Sequence, residues 1–329
     1  MGELCGCSAR RCGVRMSSIG IRETGVGVGL GLAAAMLILW RVNRSRPRTT
    51  WIPCEGWIRK RPTYSFMTPE KLLVITDFDA TITTGESEQC HDLVAASKLL
   101  SEPFRAEFAP LLDWTTNPDV DGVEWWDKAH EIMVRHGQPS RPLIPRLVHE
   151  AKMIPRPGAL ELLKRLEELN VPVLIVSAGL SDVIEEFLRQ YGALSENVTV
   201  CSNRLNYAAD SAPKSVAPEP PITSFTKAYA YSSASSFFAQ HTSRRSLIVL
   251  GDSLTDVDAS KNVPYDHCLS IGFLNARPDG LRHAETFDAV VLGNHGSLAP
   301  VSELIDEIAP RASFMRSLSG TSLANRPAS

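Results

Sequence analysis

The chain has 329 residues, of which 43% are apolar and 22% are charged, and its formal net charge is −3. This composition indicates a globular protein, long enough for one large domain with an insertion or for two domains. The slightly negative charge argues against a protein that binds nucleic acid polymers. Seven scattered cysteines, odd in number and without the paired spacing of a zinc site, predict reduced thiols in a cytosol-like compartment.

Residues 1–70 are predicted to be a leader that precedes the folded part of the chain. Residues 25–40 carry no charge, are strongly apolar in their second half, and are flanked by arginines, although the run is slightly short for a membrane span. Two interpretations stay open, a single membrane anchor and an Arg-rich organelle-targeting leader. With an anchor, the denser basic cluster after the run places the rest of the chain in the cytosol. Residues 41–70 are basic and contain prolines, which is typical of a linker, and Cys5 and Cys7 carry a weak acylation signal.

From about residue 71 the sequence alternates between short apolar runs and helical patterns. Runs rich in Val, Ile and Leu are typical of buried parallel strands. The predicted strands are Leu72–Thr76, Val171–Val176, Val198–Ser202, Leu247–Leu250, Cys268–Ile271 and Ala289–Leu292. Between them, residues 180–191 place apolar side chains on one helical face. Alternating strands and helices predict an α/β fold, a doubly wound parallel sheet with helices on both sides.

The first two predicted strands are separated by almost 100 residues, far more than a crossover needs. Within this interval, residues 84–155 have a mostly helical pattern and predict an inserted helical cap, a lid beside the end of the first strand. The α/β catalytic core then consists of residues 71–83 and 156–309. Residues 208–222 are rich in Ala, Pro and Ser and predict a mobile loop, and residues 310–329 predict a disordered tail.

The first strand ends in the sequence Asp77-Phe78-Asp79-Ala80-Thr81. In open α/β sheets, ligands bind just beyond the carboxyl ends of the strands. Two carboxylates at such a place repel one another, so a cation is their natural partner. One carboxylate can attack a phosphorus atom while the other transfers protons. An acidic loop without chemistry is the alternative interpretation of this segment taken alone.

A second segment with free polar groups follows the strand Val171–Val176. Ser177, Ala178 and Gly179 precede a helix, so a hydroxyl and backbone N–H groups form a candidate anion cradle. A simple strand-to-helix turn is the alternative. Lys227 begins a helical pattern after the mobile loop, where a lysine is ordinarily a solvated charge. Its place between the other motifs in chain order singles it out.

A third segment, Gly251 to Asp256, follows the strand Leu247–Leu250 and supplies two carboxylates four residues apart. Asp252 can complete an oxygen-rich Mg²⁺ site with Asp77 and the main-chain carbonyl of Asp79. Asp256 is either part of this group or only a charge near a helix N-terminus.

In this order the motifs resemble those of the haloacid-dehalogenase-like phosphohydrolases, which are D-x-D-x-T, then Ser, then Lys, then G-D-x-x-x-D. The similarity is closer still to the eukaryotic pyrimidine/cytosolic 5′-nucleotidases of that superfamily, and it spans about residues 71–309. It is carried by the stretches VITDFDATIT, VEWWDKAH, VPVLIVSAGLSDVIEEFLRQYG, IVLGDSLTDVDAS and IGFLNARPDGL. The resemblance implies a Rossmann-like core with an inserted cap.

The resemblance also implies roles for the motif residues. Asp77 would be the nucleophile that forms an aspartyl-phosphate, and Asp79 the acid/base that protonates the leaving 5′-oxygen and then activates water. Asp77, the Asp79 carbonyl and Asp252 would hold Mg²⁺. These roles agree with the chemistry, because phosphoryl transfer depends mainly on positioning and charge neutralisation. The implied phosphate ligands are Ser177, Ala178, Gly179 and Lys227, and the implied supporting residues are Thr81 and Asp256.

The departures from the family pattern lie in the predicted lid. The family has a glutamate in a Y-Y-P-I-E-V-D-like stretch, and the counterpart here has Leu112 at that position. A serine in a W-Y-T-K-S-H-like stretch corresponds to Ala129. Asp113 is a candidate replacement for the glutamate after a one-residue shift. Trp114 and Trp126 are candidates for stacking on a base, with packing inside the lid as the alternative.

The leading hypothesis is a Mg²⁺-dependent 5′-nucleotidase that hydrolyses nucleoside 5′-monophosphates, with pyrimidine nucleotides favoured. Two alternatives stay open. One is a phosphatase of another small phosphomonoester, phosphoserine-like or phosphocholine-like, and the other is a catalytically weak, membrane-tethered binding module. The histidines, His91 and His130 among them, show no metal-ligand spacing and are interpreted as structural or surface residues.

Overall fold

The computed structural model describes residues 50–113, 124–275 and 280–320, and within them eight strands form one mixed sheet. The strands are β1 Thr50–Pro53, β2 Leu72–Thr76, β3 Val173–Leu180, β4 Val198–Tyr207, β5 Pro213–Ala217, β6 Ser246–Gly251, β7 His267–Leu274 and β8 Ala289–Leu292. Their order across the sheet is β1-β8-β7-β6-β2-β3-β4-β5. The inner strands are parallel, and the edge strands β1 and β5 are antiparallel to their neighbours.

The inner strands confirm the predicted α/β fold. From β2 the chain moves outward through β3 and β4, returns to β6, and moves outward on the other side through β7 and β8. This doubly wound path brings the carboxyl ends of β2, β3 and β6 side by side, where such sheets bind ligands. β2 and β8 have the predicted bounds, and β3 runs past the predicted Val176 to Leu180 with an irregular register against β4.

Helices cover both faces of the sheet. They are α1 Glu55–Lys60, α2 Cys90–Ala96, α3 Glu102–Phe108, α4 Glu124–His136, α5 Ile144–Glu150, α6 Ala159–Glu168, α7 Ser181–Gln190, α8 Ala230–Ser233, α9 Ser235–Gln240, α10 Gly280–Thr286 and α11 Ala299–Gly320. Alternate residues of β2 face opposite sides. Leu72 and Val74 join the core beneath α6, α7 and α11, whereas Leu73 and Ile75 join the core beneath α8 and α9.

The helices α2 to α5 lie between β2 and β3 and form a helical insertion. Thr83 and Pro155 make an isolated antiparallel bridge, and the backbone N–H of Thr84 donates to the carbonyl of Ile154 at 2.9 Å. The insertion therefore leaves the core and rejoins it at one point. Its aromatic residues pack on one another, with the Phe104 and Phe108 ring centroids 5.3 Å apart.

Three expectations about the flanking segments were wrong for the described residues. The predicted linker contains β1 and α1, because Trp51 and Ile52 pair with β8 and because Trp57 packs edge-on against Trp51 and Tyr64. The predicted mobile loop contains β5, which pairs with β4. The predicted disordered tail begins inside α11, which continues to Gly320.

The membrane prediction falls on residues that the structure does not describe. Residues 25–40, and Cys5 and Cys7 before them, lie outside the described ranges. Among the helices that are described, none combines the length and the apolar character that a membrane crossing requires. The anchor therefore stays a prediction.

Candidate active site

The loop after β2 places two carboxylates at the carboxyl edge of the sheet. The backbone N–H of Asp77 donates to the carbonyl of Leu250 at 2.9 Å, which ties this loop to β6. Phe78 is fully buried and packs edge-on against Phe187 of α7 at 5.3 Å. Because Phe78 points into the core, Asp77 and Asp79 point together into the cavity above the sheet, where both line its wall.

Lys227 is buried between two carboxylates rather than solvated. Its Nζ donates to Asp77 Oδ1 at 2.5 Å and to Asp256 Oδ1 at 2.6 Å, and only 5% of its side chain is exposed. It stands in a short 3₁₀ turn, Lys227–Tyr229, ahead of α8. This turn and the helices α8 and α9 replace the single helix that the sequence predicted.

A cluster of three buried carboxylates lies around this ammonium group. Oxygen atoms of Asp77, Asp252 and Asp256 lie within 4.8 Å of one another. Asp256 is held by Lys227 and by the backbone N–H of Ser253, which donates to Asp256 Oδ2 at 2.8 Å. A Cβ atom on Gly251 would lie 2.2 Å from the Asp256 side chain, so only glycine lets that side chain fold back. Hard carboxylate oxygens in such a cluster are the ligands that Mg²⁺ prefers, and the donor set fits that ion.

The acidity of these groups is shifted by burial and by their mutual charges. Burial and the neighbouring carboxylates of Asp256 and Asp252 raise the pKa of Asp77, although Lys227 opposes this shift. Burial also opposes charge on Lys227, but the Asp256 and Asp77 carboxylates outweigh it and raise the lysine pKa. The cluster therefore carries more negative charge than one ammonium group balances, which favours an additional cation.

Asp79 has the acidity of a group that exchanges protons near neutral pH. Burial raises its pKa to about 7, opposed by hydrogen bonds from Cys90. The backbone N–H of Cys90, the first residue of α2, donates to the two carboxylate oxygens at 3.2 and 3.4 Å. A general acid or base works best with a pKa near the working pH, so Asp79 suits both roles in turn.

Ser177, Ala178 and Gly179 form another part of the cavity wall, beside Asp79. The Gly179 N–H donates to Ser177 Oγ at 3.0 Å. The Ala178 carbonyl accepts hydrogen bonds from Asn203 Nδ2 at 2.8 Å and from Trp126 Nε1 at 3.1 Å. A Cβ on Gly179 would lie 2.7 Å from the sulfur of Cys90, so glycine allows α2 to approach this segment. The cradle is therefore held by the core on one side and by the helical insertion on the other.

The cavity has a volume of about 550 Å³ and extends from the carboxylates to the helical insertion, a size typical of small-molecule sites. Trp126 is half-buried, lines the cavity and lies edge-on to Phe225 at 6.4 Å. Leu112 lines it too and is 39% exposed, whereas Ala129 is fully buried. Leu112, which is predicted from the sequence to occupy the family's glutamate position, thus lines the cavity as an aliphatic side chain.

Two sequence candidates in the insertion cannot be placed in the cavity. Asp113 ends a 3₁₀ turn, Ala109–Asp113, whose last side chain is not described, and Trp114 lies outside the described residues. Their roles stay predictions. Thr81 is within reach of the site, because its Oγ1 donates to Asp77 Oδ2 at 3.5 Å.

The sequence alone missed several residues that line the cavity. They are Gln89, His91, Asp92, Trp125, Ser224, Phe225 and Ser253. Most lie in the insertion or near the loop predicted to be mobile, where no periodic pattern indicates which side chains face inward. Cys90 and His91 stand at the start of a helix in the lid, and this was the sequence feature that could have indicated residues of the cavity wall.

His91 and His130 form a buried pair beside the cavity. Their rings stack at 5.8 Å, Trp125 packs edge-on against His91 at 4.9 Å, and neither Nε2 has a hydrogen-bond partner within the described residues. Burial lowers the pKa of His91 to about 3 and that of His130 to about 4. Both imidazoles are therefore neutral in the folded protein at neutral pH.

We expect this pair to make the protein less stable as the pH falls. Below the ordinary histidine pKa of about 6.5 the unfolded chain binds protons that folded His91 and His130 do not, so stability is lost from there down to the folded pKa values. At pH 5 the loss relative to pH 7.5 is about 2 kcal/mol per histidine. Urea unfolding of the double variant His91→Gln/His130→Gln should show a smaller pH dependence than the unmodified protein. His149→Gln, at an exposed position on α5, is the control, and equal pH dependence in all three proteins would contradict the assignment.

Comparisons with known proteins agree with this geometry. A model of the family pyrimidine 5′-nucleotidase (UMPH-1) matches residues 84–309 of the chain. The 7-methylguanosine phosphate-specific 5′-nucleotidase of Gallus gallus is 31% identical over 240 aligned positions, and the match covers 67% of this chain and 82% of the relative. The Homo sapiens protein of the same description is 28% identical over 258 aligned positions, and the match covers 73% of this chain and 85% of the relative.

The likeness extends to three-dimensional structure. The crystal structure of cytosolic 5′-nucleotidase IIIB bound to cytidine superposes with a TM-score of 0.67 at 24% identity, covering 82% of this chain and 96% of that one. At this level of identity the superposition shows a shared fold. The family match begins at residue 84, so the Asp77–Thr81 motif lies just before the matched range.

Proposed function

Because the chain belongs to the pyrimidine 5′-nucleotidase (UMPH-1) family and is a 5′-nucleotidase of the haloacid-dehalogenase-like superfamily, we propose that it hydrolyses nucleoside 5′-monophosphates through an aspartyl-phosphate on Asp77. The observation that carries this proposal is the Lys227 ammonium group, which bridges Asp77 and Asp256 in a buried cavity at the carboxyl edge of the sheet. A cation fixed beside the attacking carboxylate lets it approach a dianionic phosphate that would otherwise repel it.

The two carboxylates of the first motif, Asp77 and Asp79, have different roles in the reaction. An oxygen of Asp77 attacks phosphorus while the bond to the 5′-oxygen breaks, and the proton on Asp79 passes to that leaving oxygen. In the second step the Asp79 carboxylate takes a proton from water, whose oxygen attacks phosphorus as the bond to Asp77 breaks. The pKa of Asp79, which burial raises to about 7, lets the same group give and take the proton.

The surrounding residues would bind and neutralise the phosphoryl group. Asp77, Asp252 and the main-chain carbonyl of Asp79 would hold Mg²⁺, which supplies charge neutralisation when bound. Asp256 acts as a support, because its two oxygens already accept hydrogen bonds from Lys227 and from the Ser253 N–H. The proposed phosphate ligands are Ser177, Ala178, Gly179 and Lys227, and Thr81 steadies Asp77.

The helical insertion, in the role of a cap over residues 84–155, would choose the base. Its contribution to the cavity includes Trp126 and Leu112, and Phe225 lies opposite Trp126. Aromatic side chains stack on any base, and they attract a cationic one more strongly. With Leu112 in the cavity wall, the acceptor that a glutamate at this position would offer to the base is absent. We therefore propose that both pyrimidine and 7-methylguanosine monophosphates are substrates.

Phosphate release from a panel of monoesters tests the proposal. The panel contains CMP, UMP, 7-methylguanosine monophosphate, phosphoserine and phosphocholine, each with Mg²⁺ and with a chelator. We expect turnover of the nucleotides that requires Mg²⁺. Turnover of phosphoserine or phosphocholine alone would overturn the nucleotidase assignment at this site, and no turnover of any compound would favour a binding module.

Leu112→Glu is expected to sharpen the choice of base. A glutamate there would accept two hydrogen bonds from the N–H donors on the edge of 7-methylguanine, and uracil cannot supply that pair. The preference for 7-methylguanosine monophosphate over UMP, measured as the ratio of kcat/KM values, should rise by about 10- to 100-fold. Leu112→Gln is the matched control of the same length without the charge. An unchanged ratio in Leu112→Glu would show that position 112 does not contact the base.

Among the alternative substrates, phosphocholine is favoured over phosphoserine by the described cavity. Trp125, Trp126 and Phe225 line the cavity, and aromatic rings attract quaternary ammonium groups. Phosphoserine needs a cation for its carboxylate, and within the described lining the one cationic side chain is Lys227, which is engaged at the phosphate end.

The proposed location follows from the predicted leader. If residues 25–40 anchor the chain, the nucleotidase faces the cytosol, which agrees with the cytosolic description of the structural neighbour. Carbonate extraction of membranes carrying the full-length chain tests the tether, and a fully soluble chain would refute it.

A further inference from the structure

Arg156 is a fully buried cation that contacts the catalytic loop, which is the segment Asp77–Thr81 after β2. Only 1% of its surface is exposed, and its guanidinium lies 4.5 Å from the centroid of the Phe273 ring. Burial lowers its pKa to about 10, and the nearby Asp252 opposes that shift, so it is charged at neutral pH. A buried charge is costly unless it is paired or fully hydrogen-bonded, so the partners of this side chain indicate its purpose.

The hydrogen-bond partners of Arg156 within the described chain are carbonyl oxygens. Nη2 donates to the main-chain carbonyl of Ala80 at 2.5 Å, and Nε donates to that of Thr81 at 2.7 Å. Nη1 donates to the carbonyl of Gly296 at 2.9 Å. Nη2 also donates to Asn275 Oδ1 at 2.9 Å, while Asn275 Nδ2 donates to the Ala80 carbonyl at 3.1 Å. The Ala80 carbonyl is thus held from two sides.

Ala80 needs such support because its backbone is strained. Its φ angle is +58°, in the left-handed region, which costs a residue with a Cβ atom roughly 1–2 kcal/mol. Its N–H donates to Thr83 Oγ1 at 2.9 Å. This left-handed residue follows Asp79 directly, so it determines the direction in which the main chain leaves the second catalytic carboxylate.

We propose that Arg156 and Asn275 are positioning residues for phosphoryl transfer, which fix the left-handed bend at Ala80 and thereby the orientation of the Asp79 side chain and carbonyl. The inference rests on the proposed roles of Asp77 and Asp79. It predicts an effect on the chemical step rather than on nucleotide binding, because neither residue is among the side chains that line the cavity.

A second arginine of the same kind provides a matched comparison at the other end of β2. Arg244 Nη1 donates to the carbonyls of Pro69 and Leu72 at 2.7 and 2.8 Å, and Nη2 donates to that of Asn170 at 2.7 Å. It therefore also ties main-chain carbonyls around β2 together, but at the end of the strand away from the carboxylates. Its replacement measures the stability lost when an arginine that binds main-chain carbonyls is removed, without disturbing the catalytic loop.

The test compares Arg156→Met, Arg156→Lys and Arg244→Met in the full-length protein. Displacement of a reacting group by about 1 Å costs roughly 10²-fold in rate, so kcat for CMP should fall about 10²-fold in Arg156→Met, with KM changed by less than about threefold. Arg156→Lys keeps the charge but loses the fork of donors, and it should recover only part of kcat. Arg244→Met should lower the melting temperature and leave kcat unchanged.

A readout that does not depend on turnover is calorimetric titration of the substrate-free protein with Mg²⁺. The affinity should weaken in Arg156→Met, because the Asp79 carbonyl moves, and stay unchanged in Arg244→Met. If Arg156→Met does not fold, Asn275→Ala removes one of the hydrogen bonds to the Ala80 carbonyl. This variant should lower kcat with KM retained. A kcat in these variants within twofold of the unmodified protein would overturn the inference. Inactivity of the unmodified protein would instead refute the proposed function.

Discussion

Replacement of Asp77 by asparagine is expected to lower kcat for nucleoside monophosphates by about 10⁴-fold or more, the usual cost of removing a nucleophile. The amide has nearly the same shape, but its oxygen cannot attack phosphorus to form an acyl phosphate. The fold should survive. Burial and the Asp256 and Asp252 carboxylates raise the pKa of Asp77, so at neutral pH the ionised form destabilises the metal-free protein. The variant should therefore melt no earlier than the unmodified protein without metal.

Two measurements separate loss of chemistry from loss of structure in that variant. Phosphate release is measured under saturating CMP, and thermal unfolding is measured without metal. Asp266→Asn is the control, since this aspartate is exposed and pairs with Arg245 on the surface, and it should retain full activity. If Asp77→Asn kept more than a small fraction of the turnover, another group would be the nucleophile.

Replacement of Lys227 by methionine is expected to damage both stability and turnover. It leaves the buried carboxylates of Asp77 and Asp256 without their shared ammonium partner. Removing one partner of a buried ion pair typically costs about 3–5 kcal/mol, and removing a charge that stabilises the transition state typically costs about 10²–10³-fold in kcat. Denaturant unfolding at pH 7.5 and phosphate release measure the two effects.

The pH dependence and a second replacement test this interpretation of Lys227. The stability deficit should shrink as the pH falls, because protonation removes the charge that the lost ammonium group balanced. Lys227→Met/Asp256→Asn should recover part of the stability but not the turnover. Lys261→Met, which breaks an exposed pair with Asp258, should change neither property appreciably. A Lys227→Met variant as stable and as active as the unmodified protein would show that the buried bridge is absent in solution.

Much of the site follows from the sequence because the parallel strands determine it. A strand that is buried on both faces is a continuous apolar run, which can be recognised in the sequence without knowing its neighbouring strands. Parallel strands then bring their carboxyl ends to the same edge of the sheet. The residues at the carboxyl ends of β2, β3 and β6 therefore had to converge, and with them Asp77, Ser177 and Asp252. Lys227 was different. Its burial depends on two carboxylates far away in sequence, and only the order of the motifs singled it out.

The failures share one physical cause, which is dependence on distant partners. β5 has no apolar run and exists because it pairs with β4. Arg156 precedes a proline and a glycine, and this local sequence does not indicate that its partners include carbonyls of Ala80 and Gly296, far from it in the chain. The helical pattern in the predicted lid indicates which apolar residues share a face. It does not indicate which polar residues, such as His91, line the cavity.

Trapping of the phosphorylated protein tests the central claim most directly. The full-length chain would be quenched in acid during turnover of CMP labelled in its phosphate, and the labelled residue would be identified by mass spectrometry. We predict a hydroxylamine-sensitive acyl phosphate on Asp77, formed in the presence of Mg²⁺ and absent from Asp77→Asn. Label on another residue, or steady hydrolysis of CMP with no acyl phosphate at any time, would contradict an aspartyl-phosphate mechanism at Asp77.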